Sequence, residues 1–126
     1  MRHDPLADAL STIKNAERVG KSECSVMAFN LIGRVLKVMQ EEGRIKRFEY
    51  VVENGTFTVA LNGSVNECMV IKPRFSVKKG DIEKYESRYL PARNFGFLIL
   101  STNQGIITQS RARELGIGGR LLAYVF

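Results

Sequence analysis

Residues 44 to 63, RIKRFEYVVENGTFTVALNG, decide how this chain is built. Upstream of them apolar residues recur every three or four positions; from Phe48 they recur every second one. Phe48, Tyr50 and Val52 alternate with charged or smaller residues, and Phe57, Val59 and Leu61 resume the alternation after Asn54-Gly55. An Asn-Gly pair between alternating runs predicts a two-residue type I′ hairpin. Asn62-Gly63 is a second turn signal, and it divides the chain into an N-terminal α/β module over 1–63 and a C-terminal module over 64–126.

Upstream, Asp4-Pro5 opens a helix: Asp4 can accept from the free amides, and Pro5 suits the first helical position. Leu6, Leu10, Ile13 and Ala16 follow at helical spacing, with Gly20 as the stop. Cys24, Val26 and Ala28 alternate as a short strand. Asn30 is the expected cap of a second helix over Leu31, Ile32, Val35, Leu36 and Met39, ended by Gly43. The front half reads α-β-α-β-β.

Downstream, Val65 to Phe75 reads as a strand, and Pro73 near its end predicts an edge position. Lys78-Lys79-Gly80-Asp81 is a loop, followed by a short helical turn. Pro91 breaks the chain before a strand from Phe95 to Leu100. Thr108 caps a short helix over Gln109 to Leu115 ended by Gly116, and Leu121 to Phe126 is a closing strand. The fold class is α+β: two small modules, N-terminal α-β-α-β-β and C-terminal mainly β with a short helix.

Charge divides the chain differently. Through residue 70 there are nine cations and nine anions; from residue 71 onward there are ten and four, so the whole net charge of +6 lies in the back half. Such an asymmetry calls for a polyanionic partner, either a nucleic acid or an anionic surface. No apolar run approaches the ~20 residues that span a bilayer, and the first residues lack the apolar stretch of a signal peptide. A soluble protein that remains where it is made is expected.

Catalytic readings find little support. The one histidine, His3, stands near the start of the chain, far in sequence from Ser101, and no G-x-S-x-G surrounds that serine. Glu41-Glu42 and Glu83-x-x-Glu86 read as solvated helix faces. The phosphate-cradling pattern G-x-x-x-x-G-K-[ST] is absent. Gly116-x-Gly118-Gly119 precedes a strand rather than a helix. Two cysteines 44 residues apart cannot make a four-ligand zinc site. Neither metal nor cofactor is expected.

The remaining feature is Ser101-Thr102-Asn103-Gln104-Gly105, four uncharged hydrogen-bonding residues at the end of an apolar strand. Lys72, Arg74, Lys78, Lys79, Lys84, Arg88 and Arg93 supply sequence-blind attraction to phosphate. Short neutral groups on an anchored turn can then select among base edges and sugar hydroxyls. Gly105 and Gly118-Gly119 would let an RNA backbone approach. The competing reading is an ordinary polar turn, its side chains bonded to local backbone. Likewise, Tyr85 and Tyr89 could serve as core residues or as stacking platforms.

Longer motifs add to this reading. DPLADALSTIKNA (4–16), LIGRVLKVMQEEGRI (31–45) and ILSTNQGIITQSRARELGIGGRLLAYVF (99–126) resemble, in order, the N-terminal helix, second helix and C-terminal signature of the ribosomal small-subunit protein eight family. IKPRFSVKKGDIEKYESRYLPARNFGF (71–97) is similar to its archaeal and eukaryotic branch. The resemblance implies a non-catalytic cytoplasmic protein of the small ribosomal subunit, bound to the central domain of small-subunit ribosomal RNA and helping to assemble the particle. It implies neighbouring small-subunit proteins as partners, and admits the protein's own messenger RNA. Carried over by position, Ser101, Thr102, Asn103, Gln104 and Gly105 form the central RNA contact. Gly118, Gly119 and Arg120 form a second, and Tyr89 to Pro91 flank it, near Lys72, Arg74 and Arg88. Asp4, Pro5, Lys14 and Asn15 match a segment that touches another RNA element. Two positions depart from bacterial relatives: Asn103 replaces a serine, and Arg120 a glutamate. The alternative to an RNA-binding protein is a basic module that docks on acidic protein or anionic lipid.

Overall fold

A computed structural model describes residues 4–92 and 94–126, so the expectations placed on His3 and Arg93 lie outside it. The chain separates into two compact units, Met1–Cys68 and Met69–Phe126.

In the first unit, α1 (Pro5–Arg18) begins as its sequence predicts. The Asp4 carboxylate accepts from the Ala7 N–H at 3.1 Å, and Leu6, Ala9, Leu10, Ile13 and Ala16 are buried along one stripe. Next come β1 (Glu23–Met27), α2 (Asn30–Glu41), β2 (Arg47–Val51) and β3 (Thr56–Ala60). The strands form an antiparallel sheet in the order β1-β3-β2. Register puts Cys24, Val26, Phe48, Tyr50, Phe57 and Val59 on one face.

Two local expectations are corrected. Asn30 does not cap α2: it is the first helical residue, and extended Phe29 stands at the cap without a side-chain bond. The Ala28 N–H is committed to the Gly55 carbonyl (3.1 Å), so the chain leaves the sheet and turns into the helix immediately afterwards. The hairpin is not a two-residue type I′ turn either. Val51 pairs with Thr56, leaving residues 52–55 between the strands, and the Val51 carbonyl accepts from both Asn54 and Gly55 N–H. A type I′ turn needs positive φ at both central residues; here only Gly55 has it, at 63°.

The stretch after Gly63 is tied to the first unit. Glu17 accepts from Val65 N–H (3.0 Å), the Arg44 guanidinium donates to the Ser64 carbonyl (2.8 Å), and the Cys68 thiol donates to the Leu10 carbonyl (3.3 Å). The long strand expected from Val65 to Phe75 is therefore cut down to β4 (Cys68–Val70). Pro73 is not on an edge strand but in the connection beyond it, where it offers no N–H and its carbonyl accepts from Phe75 N–H at 2.9 Å.

The second unit continues with β5 (Ser76–Val77), a 3-10 turn (Lys79–Asp81), α3 (Ile82–Tyr89), β6 (Phe97–Thr102), β7 (Gly105–Thr108), α4 (Gln109–Leu115) and β8 (Gly119–Val125). Its sheet runs β4-β8-β6-β7, with β5 also paired to β8. Ile71, Val77, Ile82, Leu90, Leu98, Leu100, Ala112 and Leu121 make its core. Thr108 caps α4 by accepting from Arg111 N–H. Strand β6 runs two residues past Leu100, taking in Ser101 and Thr102, and β8 starts at Gly119, before the expected Leu121. Helices and antiparallel sheets mix as the α+β reading requires. No helix among the described residues is long and apolar enough to cross a membrane.

Candidate nucleic-acid interface

The polar stretch after Leu100 is half strand and half turn. Asn103 and Gln104 form the two-residue connection between β6 and β7, where Thr102 pairs with Gly105. The Thr102 hydroxyl holds that connection closed: it donates to the Gly105 carbonyl at 2.8 Å and accepts from Gln104 N–H at 3.0 Å. Thr102 is therefore a brace, and its polar capacity is largely spent inside the turn. Asn103 and Gln104 are exposed, while Ser101 and Thr102 are half-buried. Gly105 sits at φ 104°, which a side chain would strain.

Strand register joins this turn to the second predicted contact. Ser101 lies opposite Arg120 on β8, and Arg120 in turn lies opposite Ser76 on β5. Directly opposed residues share a face of the sheet, so Ser76, Arg120 and Ser101 form one polar row across three strands. Gly119 makes the close approach possible. A Cβ there would meet the Thr102 methyl at 2.6 Å and the Ser101 carbonyl at 2.7 Å. At Gly118 the corresponding space is filled by the Val77 carbonyl. The pair of glycines thus serves contact between the protein's own strands.

Arg88 adds a held cation. Its guanidinium lies 5.7 Å from the ring centres of both Phe75 and Tyr89, a geometry that restrains an otherwise exposed side chain. Tyr89 in turn stacks on Tyr124 at 5.6 Å and 23°, and Tyr85 packs against Phe75 at 5.8 Å. Both tyrosines belong to the rim of the core, and their rings are engaged by their neighbours. Phe75 connects this group to the row, because its carbonyl accepts from Leu121 N–H beside Arg120.

Cations around the row differ in how far they are committed. Arg113 pairs with Glu86, and Arg111 with Glu114 at 3.6 Å. Arg74, Lys78, Lys79, Arg88 and Arg120 have no carboxylate within ion-pair reach among the described residues, and all five are exposed, as is Lys72. Glu86 is not the solvated helix residue expected. Half-buried, it accepts from the buried Gln109 amide at 3.2 Å, whose oxygen accepts from Leu98 N–H at 2.7 Å. Pro91 lines a separate hollow with Glu83, Glu86 and Arg113.

The N-terminal candidates lie in the first unit. Asp4 caps α1 and Pro5 starts it. Lys14 is paired with Glu67 at 3.0 Å, its side chain only 18% exposed, so its charge is largely neutralised. Asn15 is exposed. Both cysteines are free. Burial pushes the Cys68 thiol up to about 12, with Glu67 adding to the effect, and burial likewise raises Cys24. Ser76 was missed by sequence reasoning; its signal was the short alternation Phe75-Ser76-Val77, just past the end of the strand expected from Val65 to Phe75.

Chemically, the corner offers neutral donors and acceptors on a braced turn, one arginine in register with them, and further unpaired cations nearby. Fold and site together define an α+β module that presents a fixed polar surface. The chain belongs to the family described as ribosomal protein S8, which matches residues 4–126. It is 57% identical to the small ribosomal subunit protein uS8 of Picrophilus torridus, and 54% identical to those of Thermoplasma volcanium and Thermoplasma acidophilum, in each case over the full length of both chains.

Proposed function

We propose that this protein is a structural component of the small ribosomal subunit in the cytoplasm and binds small-subunit ribosomal RNA directly, in its central domain, helping the particle to assemble. The observation that carries the reading is the row Ser76–Arg120–Ser101 ending at the braced Asn103–Gln104 turn. A rigid neutral surface beside unpaired cations suits an irregular RNA helix, where charge attracts and amides and hydroxyls select. Ser101, Asn103, Gln104 and Arg120 make the contacts; Thr102, Gly105, Gly118 and Gly119 shape the surface. Arg88, Arg74 and Lys72 add phosphate contacts. Tyr89 and Pro91 flank them, with Tyr89 holding Arg88.

Asn15 and the start of α1 touch a second RNA element, with Lys14 contributing through its pairing to Glu67 rather than as a bare charge. Neighbouring small-subunit proteins are further partners, and the same surface would serve binding to its own messenger RNA. Footprinting tests the proposal: the full chain is added to central-domain RNA and nucleotides are probed chemically. Protection of one irregular helix is expected, together with co-sedimentation with the small subunit. Protection spread evenly along every duplex would instead favour a general polyanion binder.

A further inference from the structure

The first unit has a strand edge that the RNA reading meets only at Pro5, at the start of α1. In the order β1-β3-β2, β1 is an outer strand among the described residues. Leu61 N–H donates to the Ser22 carbonyl (2.9 Å), and Ala28 N–H donates to the Gly55 carbonyl (3.1 Å). Both pairs continue the register that runs from Glu23↔Ala60 to Met27↔Thr56. Bonded and unbonded pairs alternate along an antiparallel ladder. Cys24 and Val26 therefore bond to β3, while Glu23, Ser25 and Met27 turn their N–H and C=O groups outward. Of these, the Met27 carbonyl accepts from Phe29 N–H at 3.1 Å.

Beside that edge lies a hollow of about 380 Å³, lined by Pro5, Asp8, Ala9 and Thr12 of α1 and by Ser25 and Met27 of β1. Met27 and the neighbouring Phe29 are 54% and 47% exposed. β1 contains no proline, lysine or bulge, three of the devices that blunt an outer strand, though exposed Glu23 stands at its start. Among the described residues, Asp8 is the one charged residue lining the hollow, and it is negative.

We infer that this edge docks an extended segment of another protein, carrying cationic side chains at alternate positions, which adds a further strand beside β1. An outward row of both donors and acceptors is matched by a polypeptide backbone. A phosphodiester backbone supplies acceptors and no N–H, and the Asp8 carboxylate repels it. A second copy of this chain pairing edge to edge would bring two Asp8 carboxylates together. Cationic side chains on one side of the incoming strand reach Asp8, and apolar ones on the other cover Met27 and Phe29. The inference rests on the β1 edge and Asp8, and shares only Pro5 with the RNA contact proposed at the start of α1.

The test uses the full chain and two capped eight-residue peptides, one alternating Lys and Val, the other Glu and Val, with amide exchange as readout. The Lys-Val peptide is expected to slow exchange at Ser25 and Met27 while leaving Cys24 and Val26 unchanged. Asp8→Lys should weaken that peptide by at least about threefold and remove the preference over Glu-Val. Ser25→Pro removes an outward N–H and should abolish the slowing at Met27; if that variant does not fold, Asp8→Lys decides alone. Unchanged exchange at Ser25 and Met27, equal binding of the two peptides, or an RNA duplex slowing the same amides would overturn the inference. Concentration-dependent self-association that slows them without peptide would do the same.

Discussion

The methyl group of Thr102 stands 2.6 Å from where a β-carbon on Gly119 would sit. Strands β6 and β8 are that close at the point where the polar turn begins, so the turn's position depends on a residue with no side chain. Gly119→Ala should destabilise the protein by ~1 to 3 kcal/mol, the usual cost of overpacking. Adding Thr102→Ser should restore only part, since the Ser101 carbonyl obstructs the same space at 2.7 Å. Urea unfolding of the single and double variants reads this directly. Full recovery in the double variant would show that the methyl alone sets the strand spacing.

Hydroxyls on adjacent residues have separate tasks. Thr102→Val removes two hydrogen bonds that close the turn and should cost about 1 kcal/mol or slightly more. Ser101→Ala removes a hydroxyl that makes no bond among the described residues, and its stability should stay within ~0.5 kcal/mol of the parent. Thermal unfolding separates the two. Equal losses would mean that Ser101 also braces the fold.

Arg88 is held by two rings, Phe75 and Tyr89, both 5.7 Å away. Arg88→Ala should lower the slope of log affinity against log salt by roughly 0.7 to 0.9 if it covers one phosphate. Tyr89→Leu keeps the cation but removes one ring from its holder. That variant should lose affinity with the salt slope intact, and a changed slope would contradict the holding role.

Cys68 gives a pH signature. Its folded pKa, about 12, lies above the ordinary thiol value of 9.0 because the neutral form is favoured by burial. The folded protein therefore keeps this proton longer than the unfolded chain. Its contribution is complete below pH 9 and is lost as pH rises toward 12, by up to ~1.4 kcal/mol per pH unit. Unfolding free energies of the parent and of Cys68→Ala across that window should converge as pH rises; parallel curves would refute the linkage. Folded Cys68 should also resist thiol reagents that label the half-buried Cys24.

Much of this was visible in the sequence because the signals were local. Asp4-Pro5 and Thr108 mark helix starts through bonds made within three residues, and the alternation around Phe48 and Phe57 marks the hairpin strands. What failed was set by partners distant in sequence. Asn30 looked like a cap because the bond from Ala28 to Gly55 cannot be seen in the local pattern. The apolar run after Val65 looked like one strand because its ties to Glu17 and Leu10 come from α1. Family resemblance located the Ser101 turn and the Gly118-Gly119-Arg120 segment separately. Pairing of β6 with β8 then put Ser101 opposite Arg120, and pairing with β5 added Ser76. Resemblance marked Lys14 as part of an RNA-contacting segment, and nothing near it in sequence announces its pairing to Glu67.

The central claim is that neutral groups on a rigid corner select the RNA while cations merely attract it. Dissociation constants of the Ser101→Ala, Asn103→Ala double variant, measured on the native central-domain helix and on a scrambled duplex, test it most directly. The account predicts a loss of ~1 to 3 kcal/mol on the native helix, little change on the scrambled duplex, and unaltered fold stability. An equal loss on both RNAs, or none on either, would contradict it.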